Sequence, residues 1–154
     1  MRPLYAHTQV GWLSRLLFVI GAVVALVLPP HHGTYPGADL VPYLAALAIL
    51  LLGVLFTRLT VRIDRDTLRV AFGWGWPRRT LQLTDLQSAE VTRTRWYEGW
   101  GIRSTRRGWL WNVAGLDAVL LRLAGGKSML IGTDEPRRLH AALAQALAQR
   151  QRAV

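Results

Sequence analysis

The chain has 154 residues, of which 51% are hydrophobic, and a formal net charge of +10 at pH 7. It has no cysteine, which excludes disulfide frameworks, thiolate metal sites and thiol nucleophiles. The length allows one domain with appendages, and the charge favours phosphate-bearing partners, either anionic lipid headgroups or nucleic acid.

Apolar and charged residues are segregated along the chain. Most of the apolar content falls in two blocks before residue 58, whereas residues 58–154 hold 17 of the 19 Lys+Arg and 8 of the 9 Asp+Glu. All but Lys127 of those basic residues are arginine. Arginine suits planar, bidentate contacts with oxyanions, although a GC-rich coding sequence would give the same bias.

In chain order, the first block runs from Leu16 to Leu28 without a polar side chain and reaches back to Trp12 if Arg15 snorkels. The second, Leu40 to Phe56, contains no charge. Their lengths predict a transmembrane hairpin with helices at about 12–29 and 40–57, making residues 1–57 an anchor and residues 58–154 a separate domain. A cleaved signal peptide fits less well, because no A-x-A pattern follows the first block. Arg2 and Arg15 precede the hairpin, Arg58, Arg62 and Arg65 follow it, and residues 29–39 between the blocks carry only Asp39. The positive-inside rule then puts both termini and the second domain on the cytoplasmic side of a bacterial inner membrane. Trp12 and Tyr43 fit interfacial positions, and Gly21 with Ala25 would let the helices approach. His31 and His32 read as a polar turn, since two adjacent histidines do not complete a coordination sphere.

Beyond residue 58 the period becomes two. Leu59, Val61 and Ile63 alternate with polar residues, as do Leu68, Val70 and Phe72. Leu81 and Leu83 mark a third strand, Ala89 to Trp96 a fourth, and a Gly- and aromatic-rich excursion fills Trp96 to Gly115. Ala118 to Leu123 and Met129 to Ile131 are strands joined at Gly125-Gly126. Thr133 or Asp134 then caps an amphipathic helix over about 134–149, with Leu139, Leu143, Ala146 and Leu147 on one face. The expected fold is thus a membrane-anchored α+β chain. A two-helix transmembrane hairpin precedes an antiparallel β-sandwich or barrel of about seven strands, closed by a C-terminal helix.

Three stretches carry a family likeness: Gly99-Trp100-Gly101-Ile102-Arg103, Trp111 through Val119, and Ile131 through Pro136. With the strand order, terminal helix and hairpin, they resemble the bacterial pleckstrin-homology-like domains found in small membrane-anchored proteins. The resemblance covers residues 59 to about 149 and implies a PH-like fold, an anchoring mode and no catalytic motif. Phosphoinositide-binding relatives use basic residues near the first hairpin. Here Asp64 and Asp66 partly cancel Arg62, Arg65 and Arg69.

The candidate binding region lies between Arg93 and Trp111. Arg93, Arg95, Arg103, Arg106 and Arg107 alternate there with Trp96, Tyr97, Trp100, Trp109 and Trp111. Guanidinium groups grip phosphate oxygens in pairs and tryptophan favours the headgroup boundary, so anionic lipid headgroups are the expected ligand. The bland alternative is that the tryptophans fill a core and the arginines cover a solvated face. Gly126-Lys127-Ser128 ends like a P-loop, but Leu121 stands where that motif needs glycine and a strand follows. No acid–base, cofactor or metal constellation is legible. The sequence thus reads as a non-enzymatic, membrane-anchored binding or scaffolding module. The alternative is an assembly subunit whose β domain self-associates or docks on another membrane protein. Nucleic-acid binding is disfavoured for want of a recognition motif.

Overall fold

A computed structural model describes residues 3–27 and 40–151. His31, His32 and Asp39 lie outside the described residues. In strand β2 (Arg58–Ile63), Leu59, Val61 and Ile63 face inward and are at most 3% exposed, while Arg58 and Arg62 face out. Strand β3 (Thr67–Phe72) repeats the pattern with Leu68, Val70 and Phe72. Strand β4 (Arg78–Gln82) follows at the sheet edge.

Strand β1 (Tyr5–Val10) was not expected. It pairs antiparallel with β2 along its whole length, from Tyr5 opposite Ile63 to Val10 opposite Arg58. Its inward positions are Tyr5, His7 and Gln9, so it has no apolar alternation by which to be recognised. The first sheet therefore has the order β1-β2-β3-β4.

The second sheet contains β5 (Leu86–Arg93), β6 (Gly101–Thr105), β7 (Gly108–Asn112), β8 (Asp117–Leu123) and β9 (Ser128–Gly132). Their order is β5-β8-β9-β7-β6, with β7 and β9 parallel and the other neighbours antiparallel. The expectation of about seven antiparallel strands is thus corrected to nine strands with one parallel pair among the described residues. The inner faces of both sheets share one core, in which Phe72, Leu121 and Ile131 meet Leu139 and Leu143. Those two leucines belong to helix α3 (Pro136–Gln151), which packs on β5 and β8. The Thr133 hydroxyl accepts the Glu135 N–H at 3.1 Å just before that helix.

Between β1 and β2 the chain makes helices α1 (Trp12–Val27) and α2 (Val41–Phe56), which pack on each other. Gly53 sets their approach, because a Cβ there would stand 2.9 Å from Phe18 Cβ. The expected close point at Gly21 is looser, with Ile49 at 3.6 Å from such a Cβ. Gly11 N–H donates to the Thr57 carbonyl at 2.9 Å and closes the base of the pair. Ser14 Oγ ties that base to the loop after β7, donating to the Val113 carbonyl at 2.6 Å. Gln9 Nε2 donates to the Ala114 carbonyl at 3.0 Å. Asn112 shapes the receiving loop, accepting the Ala114 N–H at 3.2 Å and donating to the Gly115 carbonyl at 3.1 Å.

The transmembrane hairpin is corrected here. Each helix has 16 residues, a rise of about 24 Å against a hydrocarbon core of about 30 Å. Among the described residues no helix is long and apolar enough to cross a membrane. Nor can α1 lengthen backwards through Val10, because Val10 is the last residue of β1. At the other end, α2 stops at Phe56 and β2 begins at Arg58. The positive-inside rule orients only segments that cross the bilayer, so the expected multi-pass inner-membrane placement, with both termini and the β domain cytoplasmic, is corrected as well. The bilayer and its headgroups go with it as partners.

Candidate anion-binding cleft

The segment after β5 is shaped by its own polar groups. Buried Thr94 donates both its N–H and its hydroxyl to the Leu116 carbonyl, at 2.6 and 3.0 Å. Arg95 then opens a single 3-10 turn at Trp96–Glu98. Its N–H donates to the Glu98 carboxylate at 2.7 Å, and Glu98 N–H donates back to the Arg95 carbonyl at 2.9 Å. Gly99, at φ +69°, reverses the chain towards β6.

Strands β6 and β7 are joined by a two-residue turn, Arg106-Arg107, with Thr105 paired to Gly108. The Thr105 hydroxyl donates to the Gly108 carbonyl at 2.7 Å and accepts the Arg107 N–H at 3.2 Å. The Ser128 hydroxyl donates to the Arg107 carbonyl at 2.6 Å. These bonds fix where the Arg107 side chain starts. Its guanidinium reaches Thr92 Oγ1 at 3.2 Å, the Arg93 carbonyl at 3.1 Å and the Glu98 carboxylate at 3.0 Å. Arg107 therefore staples the β6–β7 turn to the end of β5 and to the 3-10 turn.

The three pieces enclose a cleft of about 680 Å³ whose walls include all five predicted arginines and a single carboxylate, Glu98. Behind it, Arg103, Leu110, Leu130 and Leu120 lie in register across β6, β7, β9 and β8. The three leucines form a small buried cluster apart from the main core. That cluster gives the arginine-bearing end of the sheet a packed support.

The five guanidiniums are not equivalent. Arg107 is committed to Glu98, and Arg93 pairs with Asp117 at 3.1 Å. Arg95 donates to the Tyr97 hydroxyl, a contact that raises its pKa. Among the described residues, no carboxylate forms an ion pair with Arg95, Arg103 or Arg106.

The predicted tryptophans are not gathered with the arginines. Trp96 stands 82% exposed, edge-on to Tyr97. Trp100 lines a separate, apolar groove of about 460 Å³ with Leu17, Phe18, Ile49 and Phe56, and Arg103 borders both spaces. Trp109 lies outside both, partly exposed, and Trp111 is buried against Phe72 at 5.5 Å between ring centroids. Sequence reasoning passed over Thr92, Glu98, Ser104 and Thr105. Glu98 had a signal, being the one acid between Arg93 and Trp111.

A second charged cluster lies where β1 meets the start of α3. His7 Nε2 bonds Asp134 at 2.6 Å, and its Nδ1 lies 3.4 Å from Glu135. Glu135 also takes Arg138 at 2.6 Å. His140, which had no partner by sequence, lies 3.1 Å from the Ala89 carbonyl. Among the described residues no group of three or more His, Asp or Glu is arranged to hold a metal.

No protein-family model matches the chain, and no curated protein matches it. The expected membership of the bacterial pleckstrin-homology-like family is therefore corrected. The stretches that suggested it have local roles instead. Gly99 through Arg103 turns the chain into β6, and Trp111 through Val119 includes the loop that receives Gln9 and Ser14. Ile131 through Pro136 leads into α3.

Proposed function

We propose that this chain is a binding module, not an enzyme, and that it takes an oxyanion-bearing ligand in the cleft between β5, the Trp96–Glu98 turn and β6. The observation that carries this reading is the concentration of Arg95, Arg103 and Arg106, with no carboxylate partner among the described residues, around one cleft. Hydrogen bonds in which both partners are ionised are about twice as strong as neutral ones, and guanidinium forks fit carboxylate or phosphate oxygens in pairs. Arg107 and Glu98 act as positioning residues that hold the walls apart at a fixed spacing.

Titration calorimetry of the full chain with inorganic pyrophosphate tests the reading. Affinity should fall as salt rises, because screening weakens exposed charge pairs, and should drop at least tenfold in the Arg103→Ala/Arg106→Ala double variant. Equal affinity in the parent and the variant would defeat it.

A further inference from the structure

The wall of the cleft formed by β6 has a free backbone edge. β6 is the last strand of its sheet and is paired on one side only, with β7. In a two-residue hairpin the closing pair exchanges backbone hydrogen bonds, and every second residue turns its N–H and C=O to the opposite side. Thr105 closes this hairpin with Gly108, so Thr105, Arg103 and Gly101 are the residues bonded to β7. The N–H and C=O groups of Ser104 and Ile102 therefore point to the open edge. No backbone partner for either is found there among the described residues.

That edge coincides with the positive charge. Ser104 lines the cleft beside Arg103 and Arg106, with Arg95 across from them. A small oxyanion would satisfy guanidiniums and leave the strand edge unused. An extended polypeptide would satisfy both at once, since added strands bind through their main chain while alternate side chains meet the receptor's side chains. Given that the cleft is the anion site proposed above, we infer that its occupant is an extended acidic peptide segment. This segment adds to β6 as a sixth strand, pairing with Ser104 and Ile102 and presenting Asp or Glu carboxylates to Arg95, Arg103 and Arg106.

Edge strands also carry charged residues simply to discourage pairing, and Arg78 and Arg79 on the β4 edge fit that role. β6 differs in that its arginine faces a walled cleft with further guanidiniums on the opposite side, which a guard residue does not require.

The test uses the full chain and three probes in fluorescence polarisation or calorimetry. These are inorganic pyrophosphate, a short peptide with Asp at alternate positions, and the same peptide N-methylated at alternate backbone nitrogens. Charge is identical in the two peptides, so only strand pairing separates them. The unmodified peptide should bind at least tenfold more tightly than the methylated one, and Arg103→Ala should weaken it. Ser104→Pro should abolish the tenfold preference, because proline is tolerated on an edge where its nitrogen faces outward but removes a donor that strand pairing needs. Equal affinity for the two peptides, with pyrophosphate still bound, would overturn strand addition and leave the anion site standing. Failure of all three probes to bind would overturn both.

Discussion

Two charged clusters mark this molecule, one where β1 meets α3 and one at the arginine cleft, and they are built on opposite plans. Around His7, Asp134, Glu135 and Arg138, each charged or titratable group lies within reach of a partner of complementary chemistry. Around the cleft, five arginines face one lining carboxylate, and three of the five have no ion-pair partner among the described residues. A cluster that satisfies itself ties β1 to the start of α3, a contribution to the fold. One that leaves like charges facing each other has an unfavourable self-energy that an incoming anion relieves. The difference separates a structural use of charge from a binding use better than charge density does.

The largest expected effect falls on the cleft. Replacing Arg95, Arg103 and Arg106 together by alanine should lower pyrophosphate affinity by about a hundredfold, as expected when several charge-assisted contacts are lost. Thermal unfolding should shift little, since none of the three forms an ion pair among the described residues and the one hydrogen bond lost, from Arg95 to Tyr97, is exposed. A melting temperature that falls sharply would mean that these arginines are structural, and the contrast between the clusters would break.

Arg107 tests the contrast from inside the cleft. Arg107→Met keeps the stem but leaves Glu98, whose side chain is only 12% exposed, without its ion-pair partner and held only by the Arg95 N–H. A loss of about 1–3 kcal/mol in unfolding free energy is expected when a charged hydrogen bond to a partly buried carboxylate is removed. Denaturant melts measure it. Next comes His7→Ala, which removes the bond to Asp134 and should cost about 0.5–1.5 kcal/mol with no change in pyrophosphate affinity. A weakened ligand in that variant would show that the clusters are coupled.

The smallest effect concerns Tyr5, which stands near the same acidic group. Burial, followed by the Glu135 charge, pushes its phenol above the ordinary value of 10.0. The folded state thus favours the protonated ring. Its contribution to stability is complete below pH 10 and is lost as pH rises through the folded-state value. Tyr5→Phe should flatten the alkaline limb of the stability–pH curve, and an unchanged limb would assign that loss elsewhere.

What could be read from the sequence follows where side-chain pattern and burial agree. Leu59, Val61 and Ile63 announced β2, and Leu139 and Leu143 announced the buried face of α3, because apolar periodicity reports burial directly. β1 was hidden because its inward residues are polar, and the parallel pairing of β7 with β9 is a long-range choice that no local pattern encodes. The apolar blocks gave helices, but their ends are set by neighbouring strands, which periodicity does not report. Within the candidate region the arginine stretch did supply the lining of one cleft. Which arginines are already spoken for depends on Asp117 and Glu98, and their distances are fixed only once the chain has turned at Gly99.

The register of β1 on β2 has an architectural corollary. Val10 and Arg58 face each other as the final pair of a ladder, and Gly11 still bonds Thr57. The segment between them, which includes α1 and α2 among the described residues, takes the topological place of a reverse turn between β1 and β2. A gene in which Asn-Gly bridges Gly11 to Thr57, the hydrogen-bonded pair at this end of the ladder, would encode a minimal variant that keeps the strand order of both sheets. Most of the exposed aliphatic surface would be gone and the arginine cleft kept, a ready-made miniature for spectroscopy.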